Sequence, residues 1–313
     1  MALTAPRGYS RNREIVQQDI ESNRVITEKV LALALQTADS LFDHGDLRPF
    51  IDILCRLHNY NYFNILLIQC QYRDATCLTS QQVWQALMGS THKQAIKDQY
   101  AGRPIKLVTS LPCLNPSYVE FICLNVYDIK QTNITGFKPD SGIYRKGEEH
   151  YTLLYRSLRM ALSDQYNTSI VYKGEWIALS EYTIPGYRDG KQIFCNPNLP
   201  KEELIQFLAR NMLELSEPEK VIGKRYLELF LHISQYCLLK IWGITEAHLL
   251  FLYQDHDLVR SIPQDLRRNF LDLLQKRVRA VEEIVYSTYE KLLPERKEEP
   301  SPISLPLEMW ETD

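Results

Sequence analysis

The sequence contains no Cys-x-x-Cys pair, and none of its seven histidines begins a His-x-x-x-His or His-Glu pattern. That removes the usual ligand spacings of a structural zinc site and of a zinc-peptidase helix. Gly-x-Gly-x-x-Gly, Gly-x-x-x-x-Gly-Lys-Ser/Thr and Gly-x-Ser-x-Gly are also missing, so the common dinucleotide, phosphate-loop and hydrolase signatures are excluded. No cofactor or metal is expected. No apolar run approaches the roughly 20 residues of a membrane span. Residues Met1–Arg7 lack the apolar core of a signal peptide, so the expected compartment is cytoplasmic, with no membrane partner. A basic excess is missing as well: the net charge is −3, and the first half is nearly neutral while the second carries the acidic excess. A protein that coats nucleic acid through bulk charge is excluded; any such binding must use a local patch.

The seven cysteines are scattered and odd in number, which argues against a disulfide framework and for reduced core residues. Helical periodicity runs over 12–42, 47–58 and 60–70. Thr79 or Ser80 is placed to cap a short helix through Val83, Trp84 and Leu87, stopped near Gly89. Strands are expected at 102–111 and 119–127. Ser90–Ala101 reads as an inserted or extended helical segment. The glycine- and proline-rich residues 136–147 read as a linker. Beyond it come helices at 148–165, 201–215, 218–241, 244–253 and 263–292, with short strands at 169–172, 176–179 and 192–195. Residues 294–313, with four prolines, read as a flexible tail. The expected fold class is α+β: a helix-rich domain with a small antiparallel sheet over 1–135, and a helical domain with a short sheet over 148–293.

The letters from Tyr60 to Thr76, followed by Trp84 and then by Asn125–Thr132, resemble the N-terminal domain of ArdC/LtrC-like antirestriction proteins. The matching pattern is Tyr60, Asn64, Leu67-Ile68, Gln71, Ala75-Thr76, a Trp eight residues on, and Tyr127-Asp128-Ile129-x-x-Thr132 after two strands. The resemblance implies a domain that binds single-stranded DNA, of the kind carried by plasmids, phages and conjugative elements. Candidate contacts are Tyr60, Asn61, Asn64, Gln71, Arg73, Thr76, Trp84, Lys93, Lys97, Arg103, Lys106 and Gln131. Lysine and arginine would meet phosphates, and aromatic faces would stack on unpaired bases. Each has a plainer alternative: Trp84 fits a helix core, the amides fit backbone capping, and Gln131 fits a turn.

The second half resembles the zincin-like domain that follows in such proteins, where a helix carries His-Glu-x-x-His. On that pattern Arg210 and Glu214 fall at the histidine positions and Asn211 at the catalytic glutamate. Phe230 and His232 are nearest to the third ligand. Arginine stays cationic and cannot ligate zinc, and asparagine cannot act as general base. The expectation is a pseudoenzyme scaffold beside a DNA-binding domain. The rival expectation is a protein-interaction or self-association module built on the amphipathic 263–292 helix, with Ile303–Trp310 as a further anchor.

Overall fold

The computed structural model describes residues 8–89, 94–111, 120–137, 148–172, 185–216, 219–244 and 256–293, with side chains from Asn23 onward. The strand expected at 176–179, the helix at 244–253, most of the linker, Lys93 and the tail lie outside the described residues. The fold is α+β and divides into two compact units. The first holds the described residues up to Ser40 and Phe63–Phe137; the second holds Leu41–Tyr62 and the described residues from Glu148 onward. Leu41–Tyr62, which the sequence groups with the first domain, thus packs with the second unit.

In the first unit, α1 (Gly8–His44) contributes a buried stripe of Val30, Ala34 and Ala38, one helical turn apart. Helix α3 (Tyr62–Gln71) buries five consecutive residues, Asn64–Ile68. Helix α4 (Gln81–Met88) starts as its sequence dictates: the Ser80 hydroxyl accepts from Val83 N, and Gly89 ends it at φ 65°. The sheet runs β1-β3-β2, all antiparallel: β1 (Leu78–Thr79), β2 (Ile105–Leu111) and β3 (Glu120–Asp128). Register is set from Ile105 opposite Val126 to Leu111 opposite Glu120. Trp84, Ala95, Ile96 and Tyr127 form a fully packed cluster beside it. Gln94–Ala101 departs from the helical expectation. Ile96 bridges Thr132, and a single 3-10 turn follows at Asp98–Tyr100. Ala95 and Ile96 lie in that core cluster, and Asn133 N donates to Ala95 O, so the sheet-side pairing replaces helix hydrogen bonds.

In the second unit, α2 (Arg48–Arg56) and α5 (Glu148–Tyr166) join a three-stranded sheet: β4 (Ser169–Tyr172), β5 (Gly186–Asp189) and β6 (Gln192–Cys195). Central β6 is parallel to β4 and antiparallel to β5. Helices α6 (Lys201–Leu215), α7 (Glu219–Ile222), α8 (Lys224–Ile241), α9 (His256–Arg260) and α10 (Gln264–Leu292) complete it. The single helix expected at 218–241 is interrupted. Gly223 sits at φ 75°, a left-handed conformation that breaks the helical run. Helix α10 packs on α5 and α8, and its Phe270, Leu271, Leu274, Val278, Val281 and Val285 are buried. Phe270 meets Phe42 and Phe230 edge-on at 6.2 and 5.5 Å. That apolar face is core, so it is not the partner surface the rival reading needs. No helix among the described residues is long and apolar enough to cross a membrane.

Candidate nucleic-acid interface and the degenerate metal position

Most of the motif residues turn out to hold the first unit together. Asn64 is buried; its Nδ2 donates to Val108 O and its Oδ1 accepts from Val108 N, both at 2.8 Å. Gln71, two turns later on α3, repeats the pattern on Lys106, with Nε2 to Lys106 O and Lys106 N to Oε1 at 2.9 Å. A helix has no edge to pair with a strand, so two amide side chains mimic one and close the outer edge of β2. Trp84 is fully buried, and its Nε1 donates to Tyr127 O at 2.7 Å. No base can stack on it. Gln131 is buried, its Oε1 accepting from Asp128 N at 2.8 Å in a capping box. The Thr76 backbone N donates to Asp128 Oδ2 at 2.6 Å. Asn64, Gln71, Trp84 and Gln131 are therefore frame residues and not base contacts, and Thr76 stands half-buried beside them.

Tyr60 and Asn61 fall in the segment that packs with the second unit, half-buried and exposed respectively. The residue missing from the expected set is Asp128. Its fully buried carboxylate collects Thr76 N, Cys77 N at 2.8 Å and Lys130 N at 3.0 Å. The signal was legible: Asp followed three residues later by Gln is a capping-box pattern.

The cations behave differently. Arg73 and Arg103 are exposed, and Lys97 and Lys106 are half-exposed. Lys130, absent from the expected set, joins them: Lys97 Nζ donates to Lys130 O at 2.7 Å, and Lys130 Nζ to Asp74 O at 2.6 Å. Tyr100 N donates to Lys97 O, and Arg103 N to Tyr100 O, so one tight turn gathers both cations around Tyr100. Tyr72 is hydrogen-bonded to Tyr100, and burial first, then Tyr100, holds its hydroxyl above the usual range. The result is a rim of Lys97, Arg103 and Lys130 beside two half-exposed tyrosines, with Asp74 and Asp98 as its acids.

In the second unit three of the four positions read as degenerate metal ligands, Arg210, Glu214 and His232, are linked by ion pairs and hydrogen bonds that include Glu228. Arg210 Nε donates to Glu214 Oε1 and its Nη2 to Glu228 Oε2, each at 2.8 Å. Arg188 Nη2 stands 3.4 Å from the other Glu214 oxygen. His232 Nδ1 lies 2.8 Å from Glu228 O and 3.9 Å from its carboxylate. Asn211 is buried and donates to Phe207 O at 2.9 Å. This donor set does not fit zinc: a permanent cation lies between the two carboxylates, which would repel a second one. Among the described residues no group of three or more His, Cys, Asp or Glu could hold a metal ion.

No family model matches the sequence, and no curated protein matches it. Among solved structures the chain is similar to the antirestriction ArdC protein of plasmid R388. The Mn(II)-bound crystal structure aligns at TM-score 0.40 and 10% identity, covering 75% of this chain and 86% of that one. The chain is similar to ArdC. The metal-free ArdC structure gives TM-score 0.40 and 9% identity, over 75% and 87% of the two chains.

Proposed function

We propose that this protein binds single-stranded DNA through its first unit and performs no peptidase chemistry, serving an antirestriction role on a mobile element such as a plasmid. The observation that carries the reading is the rim of Lys97, Arg103 and Lys130 beside Tyr72 and Tyr100. It supplies the two things unpaired DNA needs, cations for phosphates and aromatic surface for bases. The motif letters from Tyr60 to Thr132 support the same reading through the resemblance they carry. The ion pairs of Arg210 with Glu214 and Glu228 support the non-enzymatic half, since they occupy the groups a metal would need.

The deciding experiment is fluorescence anisotropy of labelled oligo-dT with the full chain at low salt. Binding is expected, and reversing two rim charges in Lys97→Glu/Lys130→Glu is expected to weaken it roughly tenfold or more. No binding at micromolar protein would sink the DNA reading. Elemental analysis of protein purified without chelators tests the other half, and stoichiometric zinc would overturn it.

A further inference from the structure

The start of α4 and the middle of β3 border an open cleft of about 930 Å³, lined by Gln81, Gln82, Gln85, Ala86 and Asn125, with Tyr127 among its walls. Among the described residues no side chain lining the cleft is charged, and the polar groups it offers are mostly amides. It is not an apolar groove, because three of its walls are primary amides without a hydrogen-bond partner among the described residues: Gln81, Gln82 and Asn125. Gln85 is engaged, its Oε1 accepting from Ala95 N at 3.0 Å. The Tyr127 ring is packed against Trp84, Ala95 and Ile96, which leaves it a rigid wall.

The strand itself adds a second feature. In an antiparallel pair, residues alternate between exchanging hydrogen bonds with the neighbour and turning their N–H and C=O away from it. Lys106 and Val108 give theirs to Gln71 and Asn64 on the outer edge of β2. Their partners in register, Asn125 and Cys123, must therefore aim the other way, toward the β1 side of β3. Four described residues of β3 face that edge, Phe121, Cys123, Asn125 and Tyr127, and two of them are engaged. Tyr127 pairs with Thr79 and its carbonyl accepts from Trp84, while Cys123 N donates to Asn23 Oδ1 at 3.4 Å. Between them Asn125 keeps one donor and one acceptor side by side where the chain of β1 has turned into α4.

We propose that this cleft takes a single unpaired nucleobase, whose edge is read by the Asn125 backbone and by the Gln81 and Gln82 amides. A base is planar, neutral and carries adjacent donors and acceptors, which matches one open strand residue framed by amides. An extended peptide is the poorer fit, because strand addition needs several open residues in succession and the bonds at Cys123 and Tyr127 flank Asn125 on both sides. Lys106, the register partner of Asn125, shares its face of the sheet and is placed to meet the adjoining phosphate. The proposal rests on the single-stranded DNA reading above and adds to it where a base would go.

The test compares oligo-dA, oligo-dC and oligo-dT with an abasic phosphate chain of equal length, using the full chain. Base-containing strands are expected to bind about tenfold tighter than the abasic one, the range a good bidentate contact gives. Ala86→Trp, an exposed position that fills the cleft, and Gln81→Ala/Gln82→Ala are expected to remove that advantage at unchanged thermal midpoint and unchanged abasic affinity. Equal binding of all strands overturns the base pocket and leaves the DNA reading standing. If no strand binds, the DNA reading falls, and deoxynucleoside titrations by NMR judge the cleft alone. Shifts at the Gln81 and Gln82 side-chain amides and at Asn125 N–H support it; no shifts, or shifts only with N-acetylglycinamide peptides, overturn it.

Discussion

At the scale of single residues, polar side chains in the first unit are used for two opposite purposes. Asp128, Asn64, Gln71 and Gln131 face inward and satisfy backbone groups that burial would otherwise leave stranded. Lys97, Arg103 and Lys130 face outward and hold no buried group. The two sets separate in mutation. Asp128→Asn puts an amide donor against backbone donors that now share one carboxylate, and is expected to cost about 2–4 kcal/mol of stability, read from the denaturant midpoint. Where the variant still folds, its affinity for oligo-dT is expected to match the parent. A selective loss of DNA affinity at full stability would show Asp128 to be a contact residue. In the second unit, Arg210→Gln removes the cation that Glu214 and Glu228 share and leaves Arg188 beside Glu214. Glu228 is largely exposed, so the expected loss is small, about 1 kcal/mol, with no gain of peptidase activity.

At the scale of elements, what was legible depended on whether the signal was local. Ser80 and Gly89 mark the ends of α4, and both caps form. The apolar spacing of 263–292 marks α10, and its face is buried. One glycine within a helical pattern is tolerated, so the letters around Gly223 do not mark a break; only the chain path puts it at φ 75°. Gly223→Ala is therefore expected to destabilise by about 1 kcal/mol, against the gain such a change gives inside a helix. The α3–β2 clamp was legible only as letters. Asn64 and Gln71 look alike whether they read bases or close a strand edge, since an amide pairs with either. If they close the edge, Asn64→Leu and Gln71→Leu each cost about 1–3 kcal/mol, with faster amide exchange at Val108 and Lys106 respectively. Exchange at those two amides unchanged by either substitution would remove the clamp from the account.

At the scale of the whole molecule, two bulk measurements follow. With about four cations meeting phosphate, the logarithm of the DNA association constant is expected to fall with the logarithm of salt at a slope of about −3. A slope near zero would mean the rim is not the contact surface. Acid is expected to weaken the second unit. His150 is buried with Nε2 2.8 Å from Trp242 O and Nδ1 2.9 Å from Tyr289 Oη, and burial holds its pKa below the usual value. His58 lies 3.8 Å from the Glu282 carboxylate, yet burial and then Arg279 bring it down to about 4, with Glu283 opposing. A depressed pKa means the unfolded chain binds more protons than the folded one below about 6.5, for His58 between about 4 and 6.5. Stability from both histidines is therefore full above about pH 6.5 and is lost as the pH falls, for His58 down to about 4. Thermal midpoints across that range check it, and His58→Gln should flatten the slope.

The sequence by itself determined the α+β class, the helix caps, the apolar face of α10 and the absence of a His-Glu-x-x-His pattern at Arg210, Asn211 and Glu214, because each depends on residues close together in the chain. Only the tertiary structure decided which polar letters were free to bind. Asn64 and Val108 are 44 residues apart, and Trp84 reaches Tyr127 across 43. Periodicity and spacing describe neighbours along the chain; whether a donor already has its acceptor is fixed by what the fold brings against it. That is why Asn64, Gln71, Trp84 and Gln131 left the candidate site, and why Lys130 and Asn125 entered it.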